Sequence, residues 1–177
     1  MRTAHLKRAI LVGLVALMLG VTSVYAATSV ISATGTIANY EPFGGPATMT
    51  SRSLFIGANE VLPWHQHPGI GAYTIVKTGT LTVQDGCGGE VVYPQGSAFI
   101  EPPGRVHRGI GGSVPVETVQ TFLVPVGSAF SVNVPEGCGV PLAVDECMGN
   151  GWSAFTYPLP FSNQGACIQH VIQDGDR

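Results

Sequence analysis

From Thr48 to Val126 the chain is interrupted by glycine or proline so often that no long helix has room to form. The segments between the interruptions are short and rich in β-branched and aromatic residues, the composition of strands. Thr48 to Ile56, Tyr73 to Lys77, Thr80 to Gln84, Glu90 to Tyr93, Ser97 to Ile100 and Glu117 to Val124 each read as a strand. Asp85-Gly86-Cys87-Gly88-Gly89 is predicted to be a hairpin turn, since an Asp-Gly pair suits the positive backbone angles such turns need. Many short strands separated by turns predict an all-β sandwich or barrel. After residue 26 no segment shows sustained helical periodicity.

The flanks are less regular. Ala27 to Ala38 is rich in Thr, Ser, Val and Ile and reads as a strand or an extended arm, followed by a loop over Tyr40 to Pro46. Residues 27–47 are taken as an N-terminal arm, 48–126 as the core and 127–177 as an irregular extension, with a short strand expected over Cys167 to Ile172. Three of the four cysteines, Cys138, Cys147 and Cys167, fall in that extension, and the fourth, Cys87, sits on the hairpin turn. An even cysteine count predicts two disulfides that pin the extension, with three pairings open. Thiolate metal ligation is the weaker reading, because no two cysteines stand at close zinc-motif spacing.

Residues 1–26 read as an export signal. Arg2, Lys7 and Arg8 precede an apolar run from Ala9 to Val21, and Val24-Tyr25-Ala26 fits a small-x-small cleavage site. The run is short of the roughly 20 residues a spanning helix needs, so a secreted or periplasmic protein without stable membrane insertion is expected. Cleavage removes three of the eight basic residues and none of the eleven acidic ones, leaving a net charge of −6. No basic stripe remains, so a nucleic-acid partner is not expected.

Three of the four histidines after residue 26 lie in two short stretches, Trp64-His65-Gln66-His67-Pro68-Gly69 and Pro102-Pro103-Gly104-Arg105-Val106-His107. On an extended chain residues i and i+2 share a face, so His65 and His67 can aim at one point. His107 follows a Pro-x-Gly turn that can return it beside them. Neutral imidazole is the commonest metal ligand, and three imidazoles leave positions open for water or substrate. A scatter of structural histidines explains such clustering poorly. His170 reads as structural or exposed. If residue 72 faces inward, Thr74 and Val76 do too, and Lys77 faces out. Arg105 and Arg108 read as rim charges, and Trp64 as a packed or exposed aromatic.

These residues resemble the two motifs of the cupin superfamily. The second motif, G-x₅-P-x-G-x₂-H, is carried by Gly96, Pro102, Gly104 and His107, with Gly111 where an asparagine often stands. The first is carried in part by His65, His67 and Gly79; Gly57 lies two residues too far upstream, and the family's glutamate position is Ala72. The resemblance covers roughly residues 48–126. It implies a jelly-roll β-barrel with the irregular C-terminal extension pinned by disulfides, pairing into a homodimer through sheet edges. It also implies a divalent transition metal (Fe, Mn, Ni, Cu or Zn) held by His65, His67 and His107. With Ala72 unable to ligate, water fills the fourth position or a carboxylate comes from elsewhere, Glu60 and Glu101 being nearest in sequence; the three-histidine site is the favoured expectation. The functions implied are a small-molecule, dioxygenase-like enzyme or, alternatively, a non-catalytic barrel that binds a small ligand or a metal. No phosphate loop or G-x-S-x-G elbow points to other chemistry.

Overall fold

The structure, a computed structural model, describes residues 26–158 and 160–175; the expected export signal lies outside the described residues but for Ala26. The strands fall where the turn punctuation leaves room for them. They are β1 (Thr28–Tyr40), β2 (Gly45–Ile56), β3 (His65–Gln66), β4 (Ala72–Thr78), β5 (Thr80–Asp85), β6 (Glu90–Pro94), β7 (Ala98–Glu101), β8 (His107–Gly111), β9 (Val116–Pro125) and β10 (Val132–Asn133). Every paired ladder is antiparallel. One sheet has the order β1-β2-β9-β4-β7 and the other β10-β3-β8-β5-β6.

The expected barrel is a two-sheet jelly roll instead: the sheets are not closed into a barrel, since no strand ladder joins one to the other. Side chains join them. Leu54, Ile56, Val76 and Val116 of the first sheet meet Leu81 of the second, with Val83 packed alongside. Phe99 of β7 stacks on Tyr93 of β6 with ring centroids 3.8 Å apart. Alternation sets these faces. In β4, Ala72, Thr74 and Val76 are buried while Tyr73, Ile75 and Lys77 are exposed, as the sequence pattern predicts. In β9 the inner face is Thr118, Gln120 and Phe122.

Two glycines answer to close backbone approach. A Cβ on Gly111 would lie 2.3 Å from the Gly57 carbonyl oxygen, so glycine is needed there for the two backbones to pack. Gly71, at φ +82°, would meet the Glu101 carbonyl oxygen at 2.1 Å, so its lack of a side chain lets the turn into β4 press against the end of β7.

The C-terminal extension carries its own small core. Cys138, Cys147, Phe155 and Cys167 are buried together, with Trp152, Phe161, Ile168 and Val171 packed against them. Disulfides join Cys87 to Cys138 and Cys147 to Cys167, so the first ties the β5–β6 turn to the extension and the second closes the extension on itself. The strand expected over Cys167 to Ile172 is a helix, α1 (Gln164–Gly175). Asn163 starts it by accepting the Ala166 amide on its side-chain oxygen at 2.9 Å. Cys167 and Val171, one turn apart, share the face toward the small core. The short run C-I-Q-H-V-I is apolar enough to suit either element, and only the disulfide and the cap decide it. No described helix is long and apolar enough to cross a membrane.

Arg105 docks this extension to the sheets and is not the rim charge expected from sequence. Its side chain is largely buried, with Nε 2.8 Å from Asp85 and an Nη 2.6 Å from Glu146. Its guanidinium lies 5.8 Å from the centre of the Phe155 ring. Burial opposes ionisation of Glu146, but the Leu142 amide and Arg105 more than offset it and hold its carboxyl below its ordinary value. A depressed folded-state pKa means the unfolded chain binds this proton more readily. The contact therefore stabilises the fold above the ordinary carboxylate pKa, and that stabilisation is lost as pH falls through the depressed value. Amide exchange of α1 is expected to rise across that acid window, and Glu146→Gln to raise it already at neutral pH with a flatter acid response.

Candidate metal centre

The histidines sit where the second sheet brings two separate stretches together. His65 of β3 pairs in register with His107 of β8. His67, just past β3, falls on the same side by alternation. The three rings form a tight triangle, with centroids 5.0, 4.5 and 5.1 Å apart for 65–67, 65–107 and 67–107. All three are buried.

Backbone carbonyls fix the ring tautomers. Nδ1 of His65 lies 2.9 Å from the Pro63 oxygen, Nδ1 of His67 2.8 Å from that of Phe130, and Nδ1 of His107 2.9 Å from that of Arg105. A carbonyl oxygen can only accept, so each Nδ1 carries the proton. With a cation bound, each ring would present its Nε2 lone pair to the centre of the triangle. Metal-ligating histidines are commonly held this way.

The fourth group is Glu101, at the end of β7. Its partner across the β4–β7 ladder is Ala72, the position of the family's missing glutamate. The carboxylate therefore reaches the same place from the neighbouring strand, as directly opposed residues in a ladder have closely spaced Cβ atoms. Oε2 of Glu101 lies 2.7 Å from Nε2 of His67 and 3.2 Å from Nε2 of His107. Oε1 accepts hydrogen bonds from the Thr74 hydroxyl at 2.8 Å and the Gln120 amide at 3.3 Å. One ligand atom from each of His65, His67, Glu101 and His107 lies within 4.8 Å of every other, a group that could hold a metal ion. The group that could hold a metal thus includes, beside the three expected histidines, Glu101, one of the two carboxylates named from the sequence.

The donor set fits a cation. Nε2 of His67 is wholly buried and has no hydrogen-bond partner, though Oε2 of Glu101 is close. With Nδ1 protonated, a lone pair on that nitrogen would face a carboxylate oxygen, which is repulsive unless a proton or a metal cation lies between them. Burial chiefly, and repulsion from the other two imidazoles, push the His65 pKa down to about 4, so that ring is neutral at pH 7. Burial would raise the Glu101 pKa, but the His107 and His67 imidazoles hold it well below the carboxylate range. Burial likewise opposes protonation of His107, and Glu101 reverses the direction and raises it.

Behind Glu101 stands a chain of groups that sequence reasoning did not assign to the site. The Gln120 amide also donates to Thr74 at 3.2 Å, and its oxygen accepts from Nε of Arg52 at 2.9 Å. The Arg52 guanidinium lies 5.0 and 5.2 Å from the ring centres of Phe122 and Phe130. Alternation could place Thr74 inward, but nothing in the sequence pairs Arg52 or Phe130 with the histidines.

Other candidates lie elsewhere. Glu60 accepts the Ala27 and Gly57 amides on its two oxygens, each at 2.6 Å, and joins the arm to β2. Arg108 stacks on Trp64 at 4.4 Å and donates to Gln84. Lys77 is exposed and bonds Glu117. His170 packs near Phe161.

Residues 55–121 match the family model of the cupin domain. Among solved structures, a double-stranded β-helix protein from Klebsiella pneumoniae subsp. pneumoniae is 15% identical, with 62% of this chain and 84% of that one aligned at a TM-score of 0.48. A DMSP lyase from Ruegeria pomeroyi is 16% identical over 59% of this chain and 52% of that one, TM-score 0.44. An oxalate oxidase in complex with the substrate analogue glycolate is 17% identical over 58% and 55%, TM-score 0.42. The chain thus spans about half the length of the lyase and oxidase chains. No curated protein matches it in sequence.

The two candidate carboxylates separate experimentally. Glu60→Ala strands two amides and is expected to lower unfolding stability by roughly 1–3 kcal/mol, read by urea denaturation, with metal content unchanged. Glu101→Gln is expected to lower metal content at unchanged secondary structure. The reverse assignment of effects would exchange their roles.

Proposed function

For a chain that belongs to the cupin superfamily through its domain at residues 55–121, we propose that the function is to hold one divalent transition metal through His65, His67, His107 and Glu101 in an exported protein. The observation that carries this is the convergence of three carbonyl-oriented imidazoles on one buried carboxylate, with the His67 Nε2 left without a protein donor. Export is supported by the two disulfides, which suit an oxidising environment, and by the signal-like segment in residues 1–26.

The charge of the ligand set decides what the centre can do. Three neutral imidazoles would leave the ion's +2 charge whole; Glu101 reduces the site to +1. When bound, the metal supplies Lewis acidity and, for a redox-active ion, the electron chemistry of a dioxygenase-like reaction. The protein's own residues do the rest. Thr74 and Gln120 occupy Oε1 of Glu101 and leave Oε2 as the donor. The carbonyls of Pro63, Phe130 and Arg105 stop the imidazoles from turning. A non-catalytic metal- or ligand-holding role uses the same residues and is favoured by one observation, the narrowness of the space beside them, about 10 Å³ open to the centre of a water molecule.

Elemental analysis of mature protein purified without chelators is expected to find close to one transition metal per chain, and His107→Ala to remove most of it. Loss of a ligand should exceed the 10–100-fold affinity cost of losing a supporting contact. Glu101→Ala should lose metal likewise, and Ala72→Glu in that background should restore it, because the two positions face each other across the ladder. Metal-free wild type would sink the reading. Oxygen uptake with enolic and phenolic compounds then separates enzyme from binding protein.

A further inference from the structure

The space beside the ligand atoms has a mixed lining: Leu54, Ile56, Leu62, Leu81 and Val83 are apolar, and His65, Glu101, His107, Thr118 and Gln120 are polar. The packing leaves little slack: a Cβ on Gly109 would already lie 3.2 Å from methyl carbons of both Leu62 and Leu81. The open volume is about what a single water molecule needs. A dicarboxylate, a sugar or an aromatic ring would have to displace core side chains to enter.

One polar group in this lining has no work inside the protein. Thr118 is fully buried on the inner face of β9, and its hydroxyl has no hydrogen-bond partner. Its ladder neighbours are Leu54 and Val76, both buried and apolar. A buried hydroxyl without a partner is destabilising, and valine would fill the same volume without that cost. Gln120, two residues along the same face, is by contrast fully engaged with Arg52, Thr74 and Glu101. The unsatisfied hydroxyl thus belongs to a residue lining a space with room for one small molecule.

We propose that this space is the binding site of an exogenous ligand of one or two heavy atoms that accepts a hydrogen bond (water, hydroxide, a halide or a diatomic such as dioxygen) and that the Thr118 hydroxyl is its donor. This rests on the metal reading above, and it restricts that reading. Any larger reactant meets the centre from outside the space and does not lie within it.

The test uses the full mature chain loaded with Co(II), whose visible spectrum responds to its ligands, with fluoride as the small accepting probe and oxalate as the large one. In wild type, fluoride is expected to change the spectrum saturably and oxalate to leave it unchanged. Thr118→Val is expected to bind the same amount of cobalt, to melt no lower than wild type, and to bind fluoride about 10-fold or more weakly, the worth of a hydrogen bond to a charged acceptor. Thr118→Ser, which keeps the hydroxyl, should retain most of the affinity. Leu62→Ala, which widens the space, should let oxalate perturb the spectrum. Equal fluoride affinity in wild type and Thr118→Val overturns the role of Thr118, and oxalate binding to wild type overturns the size restriction. Cobalt uptake with no fluoride response overturns the inference alone; no cobalt uptake removes the metal reading and the inference with it.

Discussion

A carboxylate buried among three imidazoles is the interaction on which the rest of this structure turns. Removing Glu101 from water is expensive unless positive charge and hydrogen bonds replace the solvent. The fold supplies both. Thr74 and Gln120 satisfy one oxygen from β4 and β9, and the Nε2 side of the histidine triangle takes the other. Those groups come from the two different sheets, so the site also clamps the sandwich where no ladder joins its halves.

The histidine triangle depends in turn on backbone carbonyls, one of them far from it in sequence. Phe130, whose carbonyl orients His67, precedes β10, which pairs with β3. Arg105 orients His107 through its carbonyl while its side chain engages Asp85 and Glu146. The disulfide-closed extension, with its separate core, therefore bears on the second sheet one peptide unit from a ligand-orienting carbonyl. Its packing and the ligand geometry are parts of one structure, even though no residue of the extension enters the ligand set and only the Phe130 carbonyl orients a member of it.

Much of this was legible in the sequence because it depends on local rules. Turn residues delimit β2, β4, β5, β6, β7 and β9; alternation assigns the faces of β4; an i, i+2 pair brings His65 and His67 together. The unread parts are those decided across strands or by a single contact. β8 contains two glycines in five residues and lacks strand composition; its pairing with β3 and β5 makes it a strand. The helix α1 depends on Asn163 and a disulfide that composition does not pair. Glu101 stood in the sequence as one of two nearby carboxylates, but choosing it over Glu60 requires the β4–β7 register, which places it opposite Ala72. Arg52 and Thr118 lie on inner faces that alternation can suggest, yet their roles follow only from what each does or does not touch.

The transfer of the carboxylate from β4 to β7 alters more than its address. On β7 its second oxygen receives two hydrogen bonds, one from an amide whose own oxygen accepts from a guanidinium stacked on two aromatic rings. Each donor draws electron density from the carboxylate, and hydrogen bonds in series polarise one another in a low-dielectric interior. Glu101 would thus be a weaker donor to a bound ion than a carboxylate left free to chelate with both oxygens, and would bind through one of them. An ion held there keeps more of its Lewis acidity than the formal charge of the ligand set suggests. The half-buried Arg52, too far along the chain of bonds to be a ligand itself, would set how much negative charge a bound ion receives.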